Sequence, residues 1–239
     1  GTSFTNDASA TGIGSIDSTG SVNTDAGFSI MSYTGTGSVE TFAHGLNSAP
    51  ELVILRNREV ASNWWVWGEL LGNNQIMELD TTSAKYNPNG NYHNDTMPTS
   101  SVISIGSDGQ VSGNGQSHIC YAFHSVQGYS KFSSYIGGGS NFPFIYTGFK
   151  PAFMMVKRAV GGTGSWAITD GKRDPFNAVD NYLSANNANA ESDFDHADFL
   201  SNGIKFRTNN DGWNLSGDTY IYMAFASNPL VTSSGVPAT

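Results

Sequence analysis

The sequence predicts an all-β fold made of two tandem copies of one antiparallel β-sandwich module, jelly-roll-like, with little helix. Three observations predict it. The stretch SYTGTGS, residues 32–38, returns as SYIGGGS at residues 134–140, 102 positions later. Apolar runs of strand length alternate with Asp-Gly, Asn-Gly and Gly-Gly turn signals along the chain. Segments with helical periodicity are scarce.

Residues 1–26 are rich in Ser, Thr, Gly and Asn with few apolar anchors, and read as an extended linker or a lead-in strand ordered against its neighbours. The start GTSFTND, without Met, reads as a piece of something longer. The first copy spans 27–126. Within it PELVILRN is a short apolar run opened by Pro and closed by a charge, the pattern of a buried strand. WWVW (Trp64 to Trp67), Val102 to Ile105 and HICYAF (His118 to Phe123) follow.

The second copy spans 127–228 and meets these landmarks in the same order. PAFMMVKR stands opposite PELVILRN with Pro151 on Pro50, Trp166 falls on Trp65, Ile204 to Arg207 on Val102 to Ile105, and YIYMAF on HICYAF. In TYIYMAFA, period two puts Tyr220, Tyr222 and Ala224 on one face and Ile221, Met223 and Phe225 on the other. The segment ESDFDHADFLSNG is expected to form a turn or two of helix, with Ser192 as N-cap and Gly203 past the end. The glycines of the repeated stretch are expected to serve a hairpin turn with positive φ. Residues 229–239 read as a C-terminal linker. A period near 102 residues exceeds the 20 to 50 or so of solenoids and propellers, so each copy is a sheet-sized module.

Charged residues make up 13% of the chain, against roughly a quarter in ordinary globular domains. A net charge of −9 with only 11 Lys and Arg argues against nucleic acid and against an anionic membrane surface. No apolar run approaches the roughly 18 residues of a membrane helix. The single cysteine, Cys120, excludes an intramolecular disulfide and reads as a small buried strand residue.

For chemistry, the densest acidic cluster is Asp193, Asp195 and Asp198, weak candidates for a hard cation; the spaced ligands and central Gly of a calcium loop are missing, so no metal is expected. The five histidines show no HxH or HxxxH spacing, no GxSxG elbow is present, and no cofactor or catalytic residue is expected. Aromatic rings flanked by amides suit a saccharide, whose apolar face stacks while its hydroxyls bond to the amides. By that criterion Trp64 and Trp213, with Asn210 and Asp211 in NNDGWNLSGD, are the glycan-binding candidates, whereas Trp65 and Trp166 read as core. In DGKRDPFN, residues 170–177, a charged surface turn is expected, with Arg173 as an alternative interface anchor.

GFSIMSYTGTGSV, HGLNSAPELVILRNR, GYSKFSSYIGGGS, FIYTGFKPAFMMVKR and TYIYMAFASNP together resemble a duplicated β-domain of marine tailed-bacteriophage virion proteins, cyanophage tail-fibre-like chains among them. The resemblance covers about residues 1–228 and carries no binding or catalytic residue with it. It implies a virion surface component and identifies no receptor. Together with the duplicated β pattern, the low charge and the Gly-, Ser-, Thr- and Asn-rich surface, it leads to the expectation of a structural or adhesive module of a fibre or other virion appendage, extracellular, a homotrimer as fibres are built, contacting other virion proteins and a host surface glycan. The alternatives are a secreted carbohydrate-binding module and a polysaccharide depolymerase domain acting through acids such as Asp193, Asp195 or Asp211.

Overall fold

The computed structural model describes residues 1–228; the expected C-terminal linker, 229–239, lies outside them. The fold is all-β, built from antiparallel sheets. It divides into two compact units, the first formed by 1–78 and 85–124, the second by 79–84 and the chain from Ser125 onward.

Unit 1 carries strands β1 (Thr2–Asn6), β2 (Ser18–Asn23), β3 (Phe28–Thr34), β4 (Glu40–Ala43), β5 (Leu52–Asn57), β6 (Trp65–Trp67), β7 (Met77–Glu78), β8 (Val102–Ile105) and β9 (Ser117–Phe123). Seven of them form one sheet in the order β1-β2-β3-β9-β5-β6-β7, and β4 pairs with β8 separately. Strict alternation turns Met31, Tyr33, Cys120, Ala122 and Leu55 inward, where Phe42, Ile103 and Ile105 of the small sheet meet them in one core. Trp65 and Trp67 belong to that core, and each such large side chain withdrawn from water contributes about 1.5–3 kcal/mol. Cys120 is fully buried, and burial pushes its thiol well above the ordinary range.

The lead-in is ordered. Between β1 and β2 a single helical turn, α1 (Ala8–Thr11), starts where the Asp7 carboxylate accepts the Ala10 N–H and ends at Gly12 in the left-handed region. A second turn, α2 (Gly109–Ser112), is capped by Asp108 through the Gln110 N–H.

Unit 2 carries β10 (Ser130–Ile136), β11 (Phe144–Tyr146), β12 (Pro151–Val160), β13 (Ala167–Asp170), β14 (Val179–Ser184), β15 (Ser192–Leu200), β16 (Gly203–Phe206) and β17 (Thr219–Ala226). Its single sheet runs β10-β17-β12-β13-β14-β15-β16-β11. The first five strands repeat the order β3-β9-β5-β6-β7 of unit 1, and β11-β16 repeats β4-β8. What differs is β15. It bridges β14 and β16, so that one continuous sheet wraps the core as a near-barrel where unit 1 keeps two sheets.

Two sequence expectations need correction. The segment ESDFDHADFLSNG is strand β15 followed by a turn, not a helix. Its inward residues Phe194, Ala197 and Phe199 obey period two only after a register shift opposite Val179 and Asn181, which breaks the alternation in the bare sequence. The repeated glycine stretch makes no hairpin, since β3 and β4 lie in different sheets and β10 and β11 at opposite ends of theirs. Gly37 and Gly139 do take positive φ, 79° and 56°. At Gly35 and Gly137 the demand is space: a Cβ would stand 2.6 Å from the Gly113 carbonyl oxygen and 2.0 Å from that of Leu215.

Candidate functional site

In unit 2, DGKRDPFN folds into a turn knotted by its own side chains. The Asp170 carboxylate accepts the Lys172 and Arg173 N–H groups at 2.9 and 3.0 Å and the Arg173 guanidinium at 2.8 Å. Arg173 also reaches Glu191 at 2.7 Å, so two of its three guanidinium nitrogens are engaged within the chain. Asp174 accepts the Asp180 and Asn181 N–H groups and the Asn181 side-chain amide. Burial alone would raise the Asp174 carboxyl, yet these bonds hold it below the ordinary range. Asn177 pairs with Phe199 through both amide atoms, at 3.1 and 2.8 Å, as a backbone group would.

The result is a fixed turn with Phe176 at its tip, 83% exposed. Beside it opens a groove of about 370 Å³. Pro151, Ala152 and Phe176 line it with the buried Val179 and Phe199 behind them, and Lys150, Lys172 and Asp174 bring charged groups to it. A projecting ring beside a groove of mixed polar and apolar lining can stack on a flat, hydroxylated ligand while charged groups meet its hydroxyls.

The sequence candidates fare differently. Trp213 is 2% exposed and is corrected to a core residue: its ring stacks on His196 with centroids 4.0 Å apart and meets Tyr182 edge-on at 5.5 Å. Asn210 and Asp211 are exposed, but Asn210 spends its side-chain oxygen on the Gly212 N–H, and Asp211 leans toward Arg158 at 3.6 Å. With the ring turned inward, NNDGW presents no stacking platform. Trp64 is half-buried, with the Arg56 guanidinium 5.1 Å from its ring centroid and Tyr121 at 6.1 Å. Trp65 and Trp166 are buried.

Asp193 and Asp195 are exposed on β15, while Asp198 is held by Arg207 at 2.9 Å. No group of three potential metal ligands converges among the described residues. Asp180 is the acid with a raised pKa: its contact with Asp174 comes first, and Asp193 and Asp195 add repulsion. The histidines His44, His118 and His196 are buried and kept neutral by that burial.

Sequence reasoning passed over Phe176. The signal available was its setting: an aromatic residue following Pro in the only stretch dense in both acids and bases, where a core anchor has no strand to sit on.

The comparisons with curated proteins and with solved structures each returned no match. Residues 3–229, nearly the whole described chain, match the family described as Domain of unknown function (DUF7483), and the chain belongs to that family.

Proposed function

We propose that this protein is a structural and adhesive module of a bacteriophage fibre or other virion surface appendage, and that it holds a saccharide of the host surface in the Phe176 groove. The virion assignment rests on the sequence resemblance and on the weakly charged, Gly- and Asn-rich composition. The adhesive role rests on one observation: an aromatic ring kept 83% exposed by a turn fastened through the side chains of Asp170, Asp174 and Asn177. An exposed Phe forgoes about 1.5–3 kcal/mol of burial, which contact with a ligand recovers.

A glycan array tests the reading. Saturable binding to a subset of glycans is expected, weakened roughly tenfold or more by Phe176→Ala, with the melting temperature unchanged within about 2 °C. A flat array from folded protein, or full binding by the variant, would overturn the adhesive role. Antibody labelling of intact particles tests the virion assignment separately, and light scattering tests the homotrimer.

A further inference from the structure

The two units differ where residues 1–23 lie. In unit 1 this segment covers the outer edges of both β3 and β4. β2 pairs along β3 from Ser18↔Tyr33 to Asn23↔Phe28. Just upstream, the Ser15 and Ile16 N–H groups donate to the Thr41 carbonyl at 2.8 and 3.1 Å, Ile16 bridges to Phe42, and the Ser18 hydroxyl donates to the Ala43 carbonyl at 2.8 Å. The Phe4 ring lies over Gly45, where a Cβ would come within 3.0 Å of it. Phe4, Ile16 and Val22 complete the core of unit 1.

Unit 2 repeats the two edges without the segment. β10 and β11 end its sheet, and neither outer edge carries a further strand among the described residues. Residues 124–129, the link from β9 to β10, span at most about 20 Å, and Ser125 and Val126 are already bonded to Phe132 and Ser130 at the start of β10. Because Ile145 pairs with Ile204 as Phe42 pairs with Ile103, Phe144 and Tyr146 occupy the places of Thr41 and Ala43. Ala43 is buried under the segment, whereas Phe144 is 42% and Tyr146 67% exposed. The Tyr146 ring stands near Gly148, the counterpart of Gly45, where Phe4 sits in unit 1. Ile136, at the far end of β10, is also exposed.

We infer that the β10–β11 side of unit 2 is a docking site for an extended polypeptide segment of another molecule, small and polar with spaced apolar anchors, the chemistry of residues 1–23. Such a segment adds main-chain hydrogen bonds at the open edge and sets its anchors against Phe144 and Tyr146. Unit 1 shows what an occupied edge of this type looks like.

The test titrates a labelled synthetic peptide of residues 1–23 into the full chain and follows fluorescence anisotropy. Saturable binding is expected, absent for a scrambled peptide and weakened at least tenfold in the Phe144→Asp, Tyr146→Asp double variant. Both side chains face solvent, so the variant is expected to melt within a few degrees of the parent. No binding up to about 1 mM peptide would overturn the inference. So would undiminished binding by the double variant, which would mean that the peptide displaces the chain's own residues 1–23 in unit 1. A concentration-dependent dimer, lost in the double variant and formed without peptide binding, would overturn it in favour of edge-to-edge pairing of two copies.

Discussion

The hydroxyl of Tyr135 donates to the carbonyl oxygen of Trp213 at 2.6 Å, across 78 positions of chain. The counterpart in unit 1 has the same span: Tyr33 donates to the Val111 carbonyl at 2.5 Å. Each tyrosine also carries a stacked partner 102 positions from the other's, His118 at 4.9 Å and Tyr220 at 5.1 Å. Each bond ties a strand, β3 or β10, to the turn that precedes the last strand of its unit. Tyr33→Phe and Tyr135→Phe each leave a buried carbonyl without its donor, so each is expected to cost about 1–3 kcal/mol in urea unfolding. Loss in only one of the two would show that the halves do not share this fastening.

The glycines beside these tyrosines are required for a different reason. A Cβ on Gly137 would meet the Leu215 carbonyl oxygen at 2.0 Å, and backbone cannot swing aside as a side chain can. Gly137→Ala is expected to destabilise unit 2 by about 1–3 kcal/mol or more. Gly109→Ala, with no atom within 4 Å of the new methyl, serves as control and is expected to stay within about 0.5 kcal/mol. Equal melting temperatures for the two variants would contradict this.

Trp213→Ala separates core from ligand platform. Removing a ring stacked on His196 inside unit 2 is expected to cost about 3–5 kcal/mol, read from the shift in urea midpoint. A variant as stable as the parent would return Trp213 to the surface.

The strands of the two units were legible because Leu52 to Leu55, Phe153 to Val156 and Tyr220 to Phe225 obey rules local to a few residues. Trp65 and Trp166 were legible for the same reason, each lying within or beside such a run. Trp213 was not. Its neighbours are turn formers, and what buries it is the β14–β15 ribbon, whose residues Tyr182, Phe194 and His196 lie at least 17 positions away. β15 was hidden by its bulge: His196 and Ala197 are adjacent and both buried, so neither period fits. Phe176 was hidden because exposure is decided by Asp174, Asn177 and their partners on other strands.

His44 sets the expected pH response. It is fully buried, and that desolvation, opposed by a bond to the Thr99 carbonyl and reinforced by His124, brings its imidazole down to about 4 from an ordinary value of 6.5. Because the folded value lies below the unfolded one, the unfolded chain binds a proton between pH 6.5 and about 4 that the folded chain refuses. Stability is therefore full above pH 6.5 and falls as the pH drops through that window, by on the order of 3 kcal/mol from His44 alone. His93, His118 and His196, also lowered by burial, act in the same direction. The carboxylates Asp170 and Asp174, lowered below 3.8, lose their own contribution only at more acid pH, while Asp180, raised above 3.8, opposes the histidines at the acid end, so the interval from 6.5 to 4.5 is dominated by the four imidazoles. Urea unfolding at pH 7, 6, 5 and 4.5 checks this. The slope is expected to be positive with pH throughout and shallower by up to one proton in His44→Gln, which keeps a neutral acceptor for the Leu46 N–H. A profile flat across the interval would mean that these imidazoles are protonated in the folded chain and that water reaches them.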